Sequence, residues 1–135
     1  MSAAVPLIRS YFDAFNRQDW AGMLALLAND VRHDINQGGI EKGRDTFAKF
    51  LAHMDRCYAE QIGDIVVMAE DSGTRAAAEF IVTGTYKQTD EGFPSAMGQT
   101  YRLPGGSFFE LRGGRIARVT TYYNLKDWLA QIGAP

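Results

Sequence analysis

The sequence predicts an α+β fold in which three N-terminal helices pack on a curved antiparallel sheet. Two observations carry this. Apolar residues recur with helical spacing through the first third of the chain, and from Ile62 onward they alternate with polar ones. Helices first and a run of strands afterwards is the order of an α+β domain whose helices cover one sheet face. No internal repeat, low-complexity tract or linker divides the 135 residues, so a single domain over residues 1–135 is expected, long enough to bury a core.

In the first helix Ile8, Tyr11, Phe12 and Phe15 fall at i, i+3, i+4 and i+7 and make one apolar stripe. Asn16 to Gln18 break it. Asp19 caps a second helix, in which Trp20, Met23, Leu24 and Leu27 repeat the stripe until Asn29 and Asp30. The segment "VRHDINQGGIEKG" then turns strand-like and ends on Gly38 and Gly39. Gly43 leads into a third helix, "RDTFAKFLAHMDRCY", with Phe47, Phe50, Leu51 and Met54 on one side. The strands "DIVVMA", "TRAAAEFIVTGTYKQ", "TYRLPGGSFFELR" and "RIARVTTYYN" follow, separated by turn-rich "EDSGT", "TDEGFPSAMG" and "GG", as one antiparallel meander.

Residues two apart share a sheet face. Ser107, Phe109 and Leu111 are thus expected inward with Ala117, Val119, Thr121 and Tyr123, and Ala78, Phe80, Val82, Gly84 and Tyr86 with them. Glu110, Arg118, Thr120 and Tyr122 fall on the opposite face, as do Glu79, Thr83 and Thr85.

Composition excludes several functions. With 14 basic and 16 acidic side chains and a formal charge of -2, the chain has no basic excess to attract phosphate backbones, which argues against nucleic acid. Cys57 is alone, so no intrachain disulfide forms and a reducing compartment is expected. No Cys/His cluster has zinc-ligand spacing, and neither a metal nor an organic cofactor is expected. The opening "MSAAVPLIRSYFDAF" meets Arg9 and Asp13 before a signal-peptide core forms, and nothing approaches the roughly 18 apolar residues of a spanning helix. The expectation is a cytoplasmic protein with no membrane partner.

The stretches "YFDAFNRQDWAGMLALLANDVRHDINQGG" and "GRDTFAKFL", with the closing "GGRIARVTTYYN", resemble the ketosteroid isomerase-related and SnoaL-like polyketide cyclase branch of the nuclear transport factor 2-like superfamily. The resemblance spans nearly the whole chain. It implies a cone-shaped fold with a deep apolar pocket between helices and sheet, and a homodimer formed through the outer sheet face. In ketosteroid isomerase a carboxylate moves a proton beside a carbonyl while a Tyr and a protonated Asp stabilise the enolate oxygen. The Tyr matches Tyr11. The base falls near Asp34 after a one-residue slip from Ile35, and the protonated Asp aligns with Ser107 or, after a shift, Gly106. The polyketide cyclase relatives, which keep a single carboxylate base, are the nearer comparison.

Asp34 is therefore the expected general base, because an apolar pocket disfavours its charged form and raises its basicity. A turn carboxylate before Gly38 is the plain alternative. Tyr11 is the expected hydrogen-bond donor. His33 alternates with Asp34, so only one of the two faces the pocket. Asn36 shares Asp34's side and is a candidate substrate contact, as are Ser107 and the inward Tyr123. Phe15, Leu51, Met54, Phe80, Val82 and Phe109 line the pocket if it is open and fill the core if it is not, and Gly84 favours an open one. His53, flanked by Met54 and Asp55, reads as a surface histidine.

The resulting expectation is an isomerase, cyclase or dehydratase acting on a small hydrophobic carbonyl or cyclic substrate. The alternative is a noncatalytic ligand-binding or dimerisation module of the same fold. In a homodimer, Phe108 and Tyr122 would anchor the interface while Glu110 and Arg118 satisfy each other around its rim.

Overall fold

A computed structural model describes residues 3–133. Helix α1 (Ala4–Asn16) carries the expected stripe, with Ile8, Tyr11 and Phe12 buried. Helix α2 (Trp20–Ala25) opens on Asp19, whose side chain accepts from the Gly22 N–H at 2.9 Å. It stops two residues before Leu27, where the sequence pattern carried the helix on. Backbone pairing decides this: Ile116 N–H donates to the Leu26 carbonyl and the Arg44 guanidinium to the Leu27 carbonyl, so strand β1 (Leu27–Ile35) begins there. A short strand β2 (Ile40–Lys42) folds back on β1, and helix α3 (Arg44–Cys57) follows from Gly43, whose φ of 99° is left-handed.

The meander is β3 (Tyr58–Ala69), β4 (Arg75–Tyr86), β5 (Thr100–Arg112) and β6 (Arg115–Tyr123). Strand β3 starts directly at Tyr58, earlier than the alternation beginning at Ile62 indicated. The sheet runs β2-β1-β6-β5-β4-β3. Its pairs are antiparallel except β1 with β6, which are parallel because the N-terminal strand inserts beside the last one.

Register fixes the faces. Ser107 opposes Thr121 and Phe109 opposes Val119, but the pairing shifts after Glu110, so Leu111 meets Ile116. Ile116 is therefore buried inside and the expected Ala117 is not. The main core lies between α1, α3 and the sheet around Ile8, Phe12, Phe47, Leu51, Phe80 and Phe109.

A fourth helix, α4 (Leu125–Ile132), extends the three-helix expectation. Asn124 caps it, accepting from the Asp127 N–H. Leu125, Trp128, Leu129 and Ile132 carry its apolar side, and Trp128 packs among Tyr58, Tyr86 and Tyr101 in a second cluster. Among the described residues no helix is long and apolar enough to cross a membrane.

Candidate functional site

Helices and sheet enclose a cavity of about 280 Å³, lined mostly by apolar side chains. Phe15, Leu51, Met54, Phe80 and Val82 border it, as do Asn36, Ser107 and Tyr123. Phe109 does not. It is fully buried beneath the cavity, edge-on to Tyr11 at 5.5 Å, and belongs to the core. Ser107 shares a 2.7 Å hydrogen bond with Thr121 across the β5–β6 pair. Tyr11 lines the cavity and its hydroxyl has no hydrogen-bond partner among the described residues; burial alone pushes its pKa above the usual phenol range.

The His33–Asp34 pair resolves against the initial expectation. His33 opposes Val119 and packs inward on Phe47 and Phe50 of α3, at ring separations of 4.9 and 4.5 Å. Its Nδ1 is buried without a partner, and burial lowers its pKa to about 4, with Asp34 pulling the other way. Asp34 opposes Thr120. Its carboxylate accepts from Arg32 Nε at 2.6 Å and from the Thr120 hydroxyl at 3.2 Å, and Thr120 in turn accepts from Arg118 at 2.7 Å. Asp34 is among the residues lining the cavity, but its carboxylate is committed to a polar ladder with Arg32 and Thr120, on the sheet face that Thr120 shares with Phe108. It is not the free carboxylate in apolar surroundings that a base at that position requires.

Besides Asp55, two other carboxylates line the cavity, Glu60 and Asp90, neither of them singled out by sequence reasoning. Glu60 of β3 points inward with Tyr58 and Ile62, and accepts a hydrogen bond from the Tyr101 hydroxyl at 2.5 Å. The route between them crosses Gly84: Glu60 pairs with Gly84, which pairs with Tyr101. A Cβ at Gly84 would lie 2.4 Å from the Tyr101 ring. The space above Gly84, expected to be open, is filled by that ring. Burial raises the Glu60 pKa, and the Tyr101 hydrogen bond works against it. Tyr101 itself is driven well above the phenol range, first by burial and then by the Glu60 charge, so it remains the donor.

Asp90, in the loop between β4 and β5, is the second. It receives the Tyr58 hydroxyl at 2.7 Å and lies 2.9 Å from His53 Nε2. The loop is tied down: Asp90 N–H donates to the Tyr86 hydroxyl, which donates to the Pro94 carbonyl, and Phe93 packs edge-on against Trp128. Together these groups give the cavity an apolar body with carboxylates and phenols on its wall. Such an arrangement has the capacity to hold a small molecule and to support catalysis on it. A signal for Glu60 existed in the alternation of Tyr58, Glu60 and Ile62. None existed for Asp90, 37 positions from its histidine partner.

The profile of the SnoaL-like domain matches residues 8–119. No curated protein matches the chain. Among solved structures, a candidate polyketide cyclase of Xanthomonas campestris pv. campestris is 58% identical, with 96% of each chain covered and a TM-score of 0.94. A candidate polyketide cyclase of Pseudomonas putida KT2440 is 53% identical, covering 98% of this chain and 99% of that one, at a TM-score of 0.96. A third, from Silicibacter sp. TM1040, is 55% identical, covering 98% and 96%, at 0.95.

Proposed function

The chain belongs to the SnoaL-like domain family, with the cone-shaped nuclear transport factor 2-like fold, and from that premise we propose that it is an isomerase- or cyclase-type enzyme whose general base is Glu60. The observation that carries this is a carboxylate at an apolar cavity wall, raised in pKa by burial and oriented by Tyr101. Such a group is basic enough to take a proton from carbon near neutral pH. The substrate is a small hydrophobic carbonyl or cyclic compound. Glu60 removes a proton from the carbon beside the carbonyl, and the electron pair moves onto the carbonyl oxygen. The unpartnered Tyr11 hydroxyl is the donor for that oxygen. Return of the proton at another carbon isomerises the substrate; attack of the enolate on a second carbonyl closes a ring. Asp34 holds the outer ladder and takes no part. His33, neutral at pH 7, serves as a hydrogen-bonding wall group. The relatives named as candidate polyketide cyclases support the same substrate class.

Assembly is part of this reading. Phe108 and Tyr122 stack edge-on at 5.5 Å on the outer sheet face and are 46% and 48% exposed, with Val66 and Met68 exposed on the same face. A homodimer through this face covers them. The single, free Cys57 fits a cytoplasmic setting.

A thermal-shift screen with steroids, aromatic polyketide-like ketones and short-chain lipids tests the pocket, followed by mass spectrometry of the hits. A ligand at a hundred times its dissociation constant adds about 2.7 kcal/mol of stability. Stabilisation with turnover is the expected result. Stabilisation without turnover identifies a noncatalytic binder, and no stabilisation by any class removes the small-molecule reading.

A further inference from the structure

At one side of the cavity, three donor atoms of different chemistry converge from two elements. His53 and Cys57 lie one turn apart on α3, and Asp90 reaches them from the β4–β5 loop. A ring nitrogen of His53, the Cys57 sulfur and an Asp90 carboxylate oxygen all lie within 4.8 Å of one another. Asp90 is fixed on both sides, by His53 at Oδ1 and by the Tyr58 hydroxyl at Oδ2. His53 is partly exposed, which opens a path from solvent, while Cys57 closes the site from within.

We propose that His53, Cys57 and Asp90 bind a divalent cation of the zinc class, with Tyr58 orienting the carboxylate ligand and a fourth position left for water or a substrate oxygen. Thiolate, imidazole and carboxylate are the ligand types of tetrahedral zinc, and three protein ligands with one open position is the catalytic pattern. The sulfur selects against magnesium and calcium, which take oxygen ligands. Around a tetrahedral zinc the donor atoms stand roughly 3.3 to 3.6 Å apart, so separations of up to 4.8 Å contract by at most about an ångström while the His53–Asp90 pair, at 2.9 Å, opens slightly. On binding, the Cys57 thiol proton leaves to solvent, the His53 ring proton shifts from Nε2 to Nδ1, and the His53–Asp90 hydrogen bond is exchanged for two metal bonds. Arg56, whose guanidinium is 3.5 Å from His53 Nδ1, is exposed and turns away into water. Because Asp90 also lines the cavity, the cation would stand at its wall.

Cobalt(II) is the probe, added to the intact reduced chain. Cys57 is the only cysteine, so a thiolate-to-cobalt charge-transfer band in the near ultraviolet has one source. One equivalent of cobalt is expected to produce that band with tetrahedral visible bands, and zinc to bleach both. Cys57→Ser should abolish the charge transfer. His53→Gln, at a partly exposed position that leaves the core intact, should weaken binding, and Tyr58→Phe should weaken it about ten- to a hundredfold. Absence of the band in the unmodified protein overturns the proposal, as does a band unchanged in His53→Gln and Asp90→Asn. The spectrum is read without substrate, so failure of the Glu60 mechanism leaves it untouched and the two readings fail separately.

Discussion

A carboxylate in an apolar wall works as a base only if its affinity for a proton is raised above the ordinary carboxylate level, and at Glu60 burial outweighs the opposing Tyr101 hydrogen bond. The same physics acts with opposite sign at His33, where burial brings the pKa from 6.5 to about 4. The folded protein keeps the ring neutral while the unfolded chain takes up a proton near pH 6.5. Stability from this residue is therefore complete above pH 6.5, falls as the pH drops towards 4, and levels off below, by up to about 3 kcal/mol. Denaturant titrations of His33→Gln against the unmodified protein should show a shallower pH slope for the variant in that window; equal slopes would contradict the buried, neutral ring. Alternation revealed that only one of His33 and Asp34 could face inward. Which one depended on pairing with Val119 and on the Phe47–Phe50 shelf, both distant in sequence.

Strands β3, β4 and β5 act as one device at Gly84, where the missing side chain lets the Tyr101 ring cross to Glu60. Gly84→Ala should push the ring end aside, break the hydrogen bond and cost about 1 to 3 kcal/mol. Chemical denaturation measures the loss, and a structure of the variant should show the Tyr101 hydroxyl displaced; an unmoved ring with full stability would contradict the packing. The helix-then-strand order, the stripe of α1 and the Phe47–Met54 face of α3 were legible because local periodicity states them. The end of α2 was not, since the Leu26 and Leu27 carbonyls just beyond it are claimed by Ile116 and Arg44, which lie further along the chain. The cap and stripe of α4 were present in Asn124, Leu125, Trp128 and Ile132 but followed the last recognised strand. Glu60 was hidden because β3 follows α3 without a turn to mark its start.

Across the whole molecule the sheet divides labour, enclosing the cavity on one face and presenting Phe108 and Tyr122 on the other. Arg118 and Glu110, expected to meet around a dimer rim, are already paired within one chain. In the proposed dimer, the aromatic pair is then left as the anchor. Light scattering at micromolar concentration should show a dimer, and Phe108→Glu with Tyr122→Glu a folded monomer; a monomeric unmodified protein would end the assembly reading. The cone as a whole exists, on this account, to hold a substrate carbon against Glu60. The direct measurement is deuterium uptake from heavy water at the carbon beside the carbonyl of small cyclic and aromatic ketones, followed by mass spectrometry. The unmodified protein should catalyse the exchange, Asp34→Asn should retain it, and Glu60→Gln should slow it by about a hundred- to ten-thousandfold. Exchange that survives Glu60→Gln and is lost in Asp34→Asn would contradict the account.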